Sequence, residues 1–197
     1  MSFFPPEDKP LLQEICDLFT EAEKAIKEVE DTGGELVVPA VNQLRYTGNH
    51  LVRYLCNPEK TDELHDSVRH CKRATYDAYE AAILYQLEEY RKFKDDYRKT
   101  VVIDVIPDYP EIVTSIENAR KFARENNNSK TRGEFYLAGR DHLVTITASV
   151  NKLDACRDEL NKKIKKDRSN FILQLVVIGI AIIGTTIALI AWRWPVH

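Results

Sequence analysis

The stretch from Phe171 to Trp192, FILQLVVIGIAIIGTTIALIAW, contains no charged side chain over 22 residues. As a helix it would rise about 33 Å, enough to cross the hydrocarbon core of a bilayer. Its flanks are unequal. Lys162, Lys163, Lys165, Lys166 and Arg168 precede it, and only Arg193 follows. By the positive-inside rule, residues 1–168 are then cytoplasmic and residues 169–197 form a C-terminal transmembrane segment with a short tail. Trp192 and Trp194 fall where aromatic anchors meet the far interface.

A plain anchor need only be apolar, and this one carries more detail. Gln174, Ile178, Ala181, Thr185, Ala188 and Trp192 follow steps of four and three, which puts them on one helical face. That face is smaller and more polar than the Leu/Ile/Val face opposite. Gly184 and Ala188 form a small-xxx-small pair that lets helices approach closely. The stripe is therefore expected to face sister helices or a narrow water path, with Gln174, Ile178, Ala181, Thr185 and Ala188 lining it. The alternative is an inert anchor whose Thr hydroxyls bond to their own backbone.

The rest of the chain reads as helical. Gly and Pro number only 7 and 8 of 197 residues, and charged and aliphatic residues dominate. Periodicity predicts five helices: about Pro10–Val29, Pro39–Cys56, Asp62–Thr100, Glu111–Glu125, and one from near Glu134 that runs unbroken into the membrane. Thr61 is expected to cap the third helix, and VVIDVIPDYP to form a short extended connector. In the last helix Leu143, Ile146, Val150, Leu153, Arg157, Leu160 and Ile164 repeat at steps of three and four, in phase with the stripe in the span. Such a repeat suits a bundle core, the favoured reading, or a stalk of identical chains. The fold class is thus all-α: a cytosolic helical bundle whose long C-terminal helix continues into one transmembrane helix.

Net charge is −3 and the first forty residues are acidic, so any site for an anion must be local. Two stretches supply one. LRYTGNHLVRYL carries Arg45, Tyr46, Asn49, His50 and Arg53. The third helix carries His65, Arg69, Lys72, Tyr76 and Tyr79 at steps of four, three, four and three, with Arg73 beside them. Arginine forks hold phosphates and tyrosine rings stack on bases. The two helices are joined by a short connection and are expected to lie antiparallel, lining a positive cleft for a nucleotide oligomer. The candidate ligand residues are Arg45, Tyr46, His50, Arg53, Arg69, Lys72, Arg73, Tyr76 and Tyr79. The competing expectation is ordinary: arginines paired with neighbouring carboxylates, tyrosines covering the core.

No P-loop, HExxH, GxSxG or Gly-rich nucleotide loop occurs. His50, the His65-Asp66 pair and Asp77 loosely resemble the metal ligands of HD phosphohydrolases, but any helical chain with five His offers one His-Asp pair. No catalytic constellation, metal ligand or cofactor is assigned, and the chain is read as a non-enzyme. Cys16, Cys56, Cys71 and Cys156 are scattered without metal spacing and read as reduced thiols. The segment MSFFPPEDKP has neither the basic nor the apolar region of a secretory signal.

The segments VNQLRYTGNHLVRYL and YEAAILYQLEEYRKF, with the terminal span, give the chain a resemblance to the membrane effectors of bacterial anti-phage systems, and among them to the effector of the Hailong system. That resemblance implies a tetrameric membrane protein of the bacterial inner membrane. It implies a cytosolic part that binds single-stranded oligodeoxyadenylate made by a partner nucleotidyltransferase. Bound ligand would keep the pore closed, and its loss would open the pore and depolarise the membrane. The rival expectation is a tail-anchored adaptor that docks a protein on its acidic first helix.

Overall fold

The computed structural model describes residues 4–33, 36–125 and 135–193. Among them are six α-helices and no strand: α1 (Lys9–Gly33), α2 (Val38–Cys56), α3 (Asp62–Asp96), α4 (Tyr109–Glu125), α5 (Tyr136–Ala155) and α6 (Arg157–Arg193). The all-α class expected from the periodicity is the one observed. Short 3-10 turns precede α1 at Pro6–Asp8 and replace the expected extended connector at Val102–Asp104. The first helix continues past Val29 to Gly33. Thr61 occupies the N-cap position of α3, but its side chain makes no capping bond; its carbonyl accepts from the Leu64 amide instead. The expected start near Glu134 lies outside the described residues, as do the side chain of Trp192 and all of Trp194.

The bundle is organised around α3, a helix about 52 Å long at 1.5 Å per residue. Every residue from Ala74 to Tyr79 is buried. Ala74, Ala78 and Ala82 keep that helix thin enough for neighbours to close on several sides. Helices α1, α2, α4 and α5 all pack on it. Tyr79 meets Gly139 and Tyr97 meets Arg157, so α3 and the α5–α6 column run in the same direction. Tyr90 meets Tyr109 and Tyr76 meets Phe122, so α4 runs back against them. The main core joins the C-terminal half of α1 to α3, α4, α5 and Leu160 of α6. A smaller cluster closes the other end around Ile15, Tyr54, Leu64 and Cys71. There the fully buried Tyr54 hydroxyl donates to Asp8 at 2.6 Å, and burial with this carboxylate pushes the phenol up to about 12.

Leu143, Ile146, Val150, Leu153 and Leu160 are all buried within the chain, as a bundle core requires. Ile164, the next position of the repeat, is 37% exposed. The stripe thus leaves the bundle after Leu160.

The expected unbroken last helix is interrupted. Cys156 is a single turn residue whose amide reaches back to Leu153 at 3.2 Å, separating α5 from α6. No Gly or Pro causes the break; tertiary bonds accompany it. Arg157 binds Asp154 and Asp96, each at 2.7 Å, and lies over the Phe93 and Tyr97 rings at 5.4 and 5.7 Å. The Tyr97 hydroxyl donates to the Arg157 carbonyl at 3.4 Å. Burial works against the guanidinium charge, but the Asp154 and Asp96 bonds outweigh it and raise its pKa. Lys163 binds Asp104 at 2.9 Å, fastening the next turn of α6 to the α3–α4 connection.

Beyond this collar α6 stands uncovered. Its segment Arg157–Ile190 is long and apolar enough to cross a membrane, and none of the most apolar part is buried.

Two outcomes test the packing. A Cβ at Gly139 would lie 3.2 Å from the Tyr79 Cβ, which is backbone-fixed, so Gly139→Val should destabilise the bundle by about 1–3 kcal/mol. At about 2–4 °C per kcal/mol its thermal midpoint should fall measurably while Gly48→Ala, with open space around it, should show no clash. Arg157→Ala should raise amide hydrogen exchange about tenfold across residues 156–161, leaving exchange at the middle of α3 unchanged.

Candidate functional site

Helices α2 and α3 form an antiparallel hairpin, and small residues set how closely they approach. Thr47, Ser67 and Cys71 are fully buried at the crossing. The Ser67 hydroxyl donates to Glu63 O at 3.0 Å, and Thr47 lies 3.5 Å from the Cys71 sulfur. Beside this seam, Gln43, Tyr46 and His50 of α2 face Glu63, Asp66 and His70 of α3. On each helix the spacing is three then four, and so falls on one face.

His50 Nδ1 lies 2.6 Å from Glu63 Oε2 and 3.8 Å from Asp66 Oδ2. Its ring stacks on His70 with centroids 5.1 Å apart, and Tyr46 packs on His70 from the side at 5.4 Å. The His70 Nδ1–H donates to Gln43 Oε1 at 2.7 Å. Gln43 in turn donates its amide to buried Asp77 at 3.4 Å, which fixes which end of the amide faces His70. Burial first, then the neighbouring His50, Arg73 and Arg69, lowers the His70 pKa to about 4. The imidazole is therefore neutral at physiological pH, with Nδ1 protonated.

The sequence-derived ligand residues do not form one surface. Tyr76 and Tyr79 are in the main core, 0% and 4% exposed, with Tyr76 packed on Phe122 at 5.9 Å. They cannot stack on a base, and this part of the expected cleft is corrected. The continuous row failed because α3 is surrounded: the face that carries Arg69 turns, two helical turns later, into the α4–α5 side of the bundle. Lys72 reaches Glu14 of α1 at 3.4 Å. Arg69 is bound to Asp66 on its own helix yet remains exposed. Arg45, Tyr46 and Arg53 are exposed, the Arg45 guanidinium 5.1 Å from the Tyr46 ring centre. His50 is half-buried beside Glu63, and Arg73 is half-buried on the same side. What remains at the surface is an arginine edge, Arg45, Arg53 and Arg69, around a histidine-carboxylate cluster.

Glu63, His70 and Gln43 were not singled out as site residues by sequence reasoning, and Asp66 entered only through the His65-Asp66 pair. One signal could have found them. In an antiparallel hairpin the facing residues lie about equally far from the connection. His50 and Glu63, and Gln43 and His70, do so around Asn57.

The proposed pore face looks different in detail. The Thr185 hydroxyl donates to Ala181 O and Ile182 O at 3.0 and 2.8 Å, and Thr186 to Ile182 O at 2.7 Å. Gln174, Ile178, Ala181, Thr185 and Ala188 are all exposed on a single chain.

No protein-family pattern matches this chain, and neither a characterised protein nor a solved structure shows significant similarity to it.

The placement of the tyrosines has a direct check. Tyr76→Ala should cost about 3–5 kcal/mol of stability as a core truncation, whereas exposed Tyr46→Ala should stay within about 0.5 kcal/mol. Chemical denaturation of the purified chain in mild detergent measures both.

Proposed function

We propose that the protein is an oligomeric membrane effector anchored through α6, forming a pore whose state is set by an anionic ligand on the α2–α3 hairpin. The observation that carries this reading is the uncovered span. From Phe171 to Ile190 the large apolar side chains are 52–65% exposed, so this surface requires lipid, sister helices or both. The bundle lies on the cytoplasmic side, because the lysines from Lys162 to Lys166 precede the span. The membrane is the bacterial inner membrane if the resemblance to anti-phage effectors holds, and four copies then surround the axis.

In this reading Gln174, Ile178, Ala181, Thr185 and Ala188 face that axis. The hydroxyls of Thr185 and Thr186 are already bonded to their own helix, so Gln174 and the small residues are the main determinants of association. Arg45, Arg53 and Arg69, with Arg73 and Lys72 behind them, receive phosphates of a nucleotide oligomer such as single-stranded oligodeoxyadenylate from a partner nucleotidyltransferase. Tyr46 is the one exposed ring of the set available to stack. A ligand governs the pore only if it binds closed and open states unequally. The Arg157 collar offers the route, since it ties the end of α3 to the start of α6.

A second reading has its own support. Val38, Val41, Val52 and Leu55 are 39–57% exposed and lie along one outer face of α2. An adaptor that docks a partner helix there needs no pore.

Reconstitution separates the two. The full chain in liposomes should show ion flux and cross-link to a defined oligomer. Gly184→Leu with Ala188→Leu should abolish both, and Arg45→Glu with Arg69→Glu should alter the response to added oligodeoxyadenylate. A monomer in a silent bilayer, with a partner lost on Val52→Asp, would establish the adaptor instead.

A further inference from the structure

We infer that His50, Glu63 and Asp66 bind one divalent cation of the zinc class, which pins α2 to the first turns of α3. Among the described residues these three bring one ligand atom each within 4.8 Å of one another. Imidazole with two carboxylates, and a fourth position left to water, is a donor set that suits zinc. Hard cations such as magnesium favour oxygen ligands alone.

The spacing needs little adjustment. Ligand atoms at 2.0–2.2 Å from a tetrahedral zinc lie about 3.4 Å apart. His50 Nδ1 and Asp66 Oδ2 are 3.8 Å apart, and His50 Nδ1 and Glu63 Oε2 2.6 Å. The Glu63 carboxylate must therefore retreat by less than about 1 Å, which one side-chain torsion supplies. Binding through His50 Nδ1 requires that nitrogen to carry no proton, so the His50–Glu63 hydrogen bond is exchanged for two bonds to the metal.

Competing partners leave the site open. Arg69 takes Oδ1 of Asp66, whereas Oδ2 is the oxygen turned toward His50. Two carboxylates meet one arginine here, so one negative charge is left for a bound cation to neutralise. Burial is intermediate: the His50, Glu63 and Asp66 side chains are 15%, 17% and 30% exposed. An open hollow lined by Asp62, His65, Asp66, Val68 and Arg69 gives solvent access to the Asp66 side.

The surroundings hold His50 in place, as outer partners do at metal sites. Its ring is stacked on His70, which is anchored to Gln43, which is anchored to buried Asp77.

The full chain is purified in detergent, stripped with a chelator and titrated with Co2+ as an optical probe, then with Zn2+ as competitor. The expected result is one equivalent of Co2+ with a tetrahedral-type visible absorption, displaced by Zn2+, and a raised thermal midpoint with Zn2+. His50→Ala, Glu63→Gln and Asp66→Asn should each weaken binding about tenfold or more. His65→Ala, an exposed neighbour outside the cluster, should bind like the parent. Far-ultraviolet circular dichroism shows that each variant is folded, and the two isosteric carboxylate changes carry the test if His50→Ala is not. Absence of stoichiometric Co2+ or Zn2+ binding by the parent overturns the site, as does binding unchanged in the folded variants or weakened equally by His65→Ala. In either case His50, Glu63 and Asp66 form an ion-paired contact alone.

Discussion

The middle of α3 has no face to give to water, and that constraint shapes the rest of the bundle. Between Ala74 and Tyr79 six consecutive residues are buried, including Thr75 and Asp77, so neighbours must enclose the helix and supply polar contacts. Alanines at 74, 78 and 82 admit those neighbours closely, and Gly139 lets α5 come within van der Waals contact of Tyr79. Burial of Tyr76, Tyr79, Tyr90 and Phe93 supplies much of the apolar area that stabilises the core. Toward its N-terminus α3 bonds to α1 and α2 through polar side chains. The histidine-carboxylate cluster sits there, about 45 Å along α3 from the collar at Asp96.

That separation bears on how the two ends could communicate. Arg157 connects them at the far end by holding Asp96 and Asp154 together, over the Phe93 and Tyr97 rings. Its contacts span the end of α3, the end of α5 and the start of α6. A rigid α3 can transmit a tilt or a shift to such a joint, whereas Cys156 introduces a break that a seamless rod would lack. Side-chain bonds of Arg157 and Tyr97 are what join the end of α3 to the start of α6.

The sequence was informative wherever a pattern was local. Uncharged length marked the candidate span, and the three-four repeat from Leu143 to Leu160 marked α5 and the start of α6, whose apolar face is indeed buried. Helix starts and stops came within a few residues because Pro39, Asn57-Pro58 and Pro110 act on the chain beside them. Three features were not legible. The Cys156 break has no Gly or Pro, and is accompanied by an arginine that meets Asp96 and the Phe93 and Tyr97 rings, about sixty residues away. The basic-aromatic row of α3 is real as a helical stripe, but a stripe does not say which neighbours cover it. Tyr76 and Tyr79 went to the core because α4 and α5 close over them, a fact set by tertiary packing. The cluster at His50 was divided between two helices, so no single-helix spacing could announce it; only hairpin register could.

The hydroxyls of Thr185 and Thr186 are satisfied by carbonyls one turn earlier on the same helix. A solitary α6 can therefore reside in lipid without unmet donors at those positions, and insertion does not have to await a sister chain. Gln174 lies in the first turn of the span and is near enough to the headgroup layer to remain hydrated meanwhile. For the oligomer proposed above, biogenesis would then proceed in two stages, with single copies lodged first and lateral encounter afterwards governed by surface density. Under that proposal abundance in the bilayer, rather than synthesis alone, becomes the variable that decides how many complexes exist.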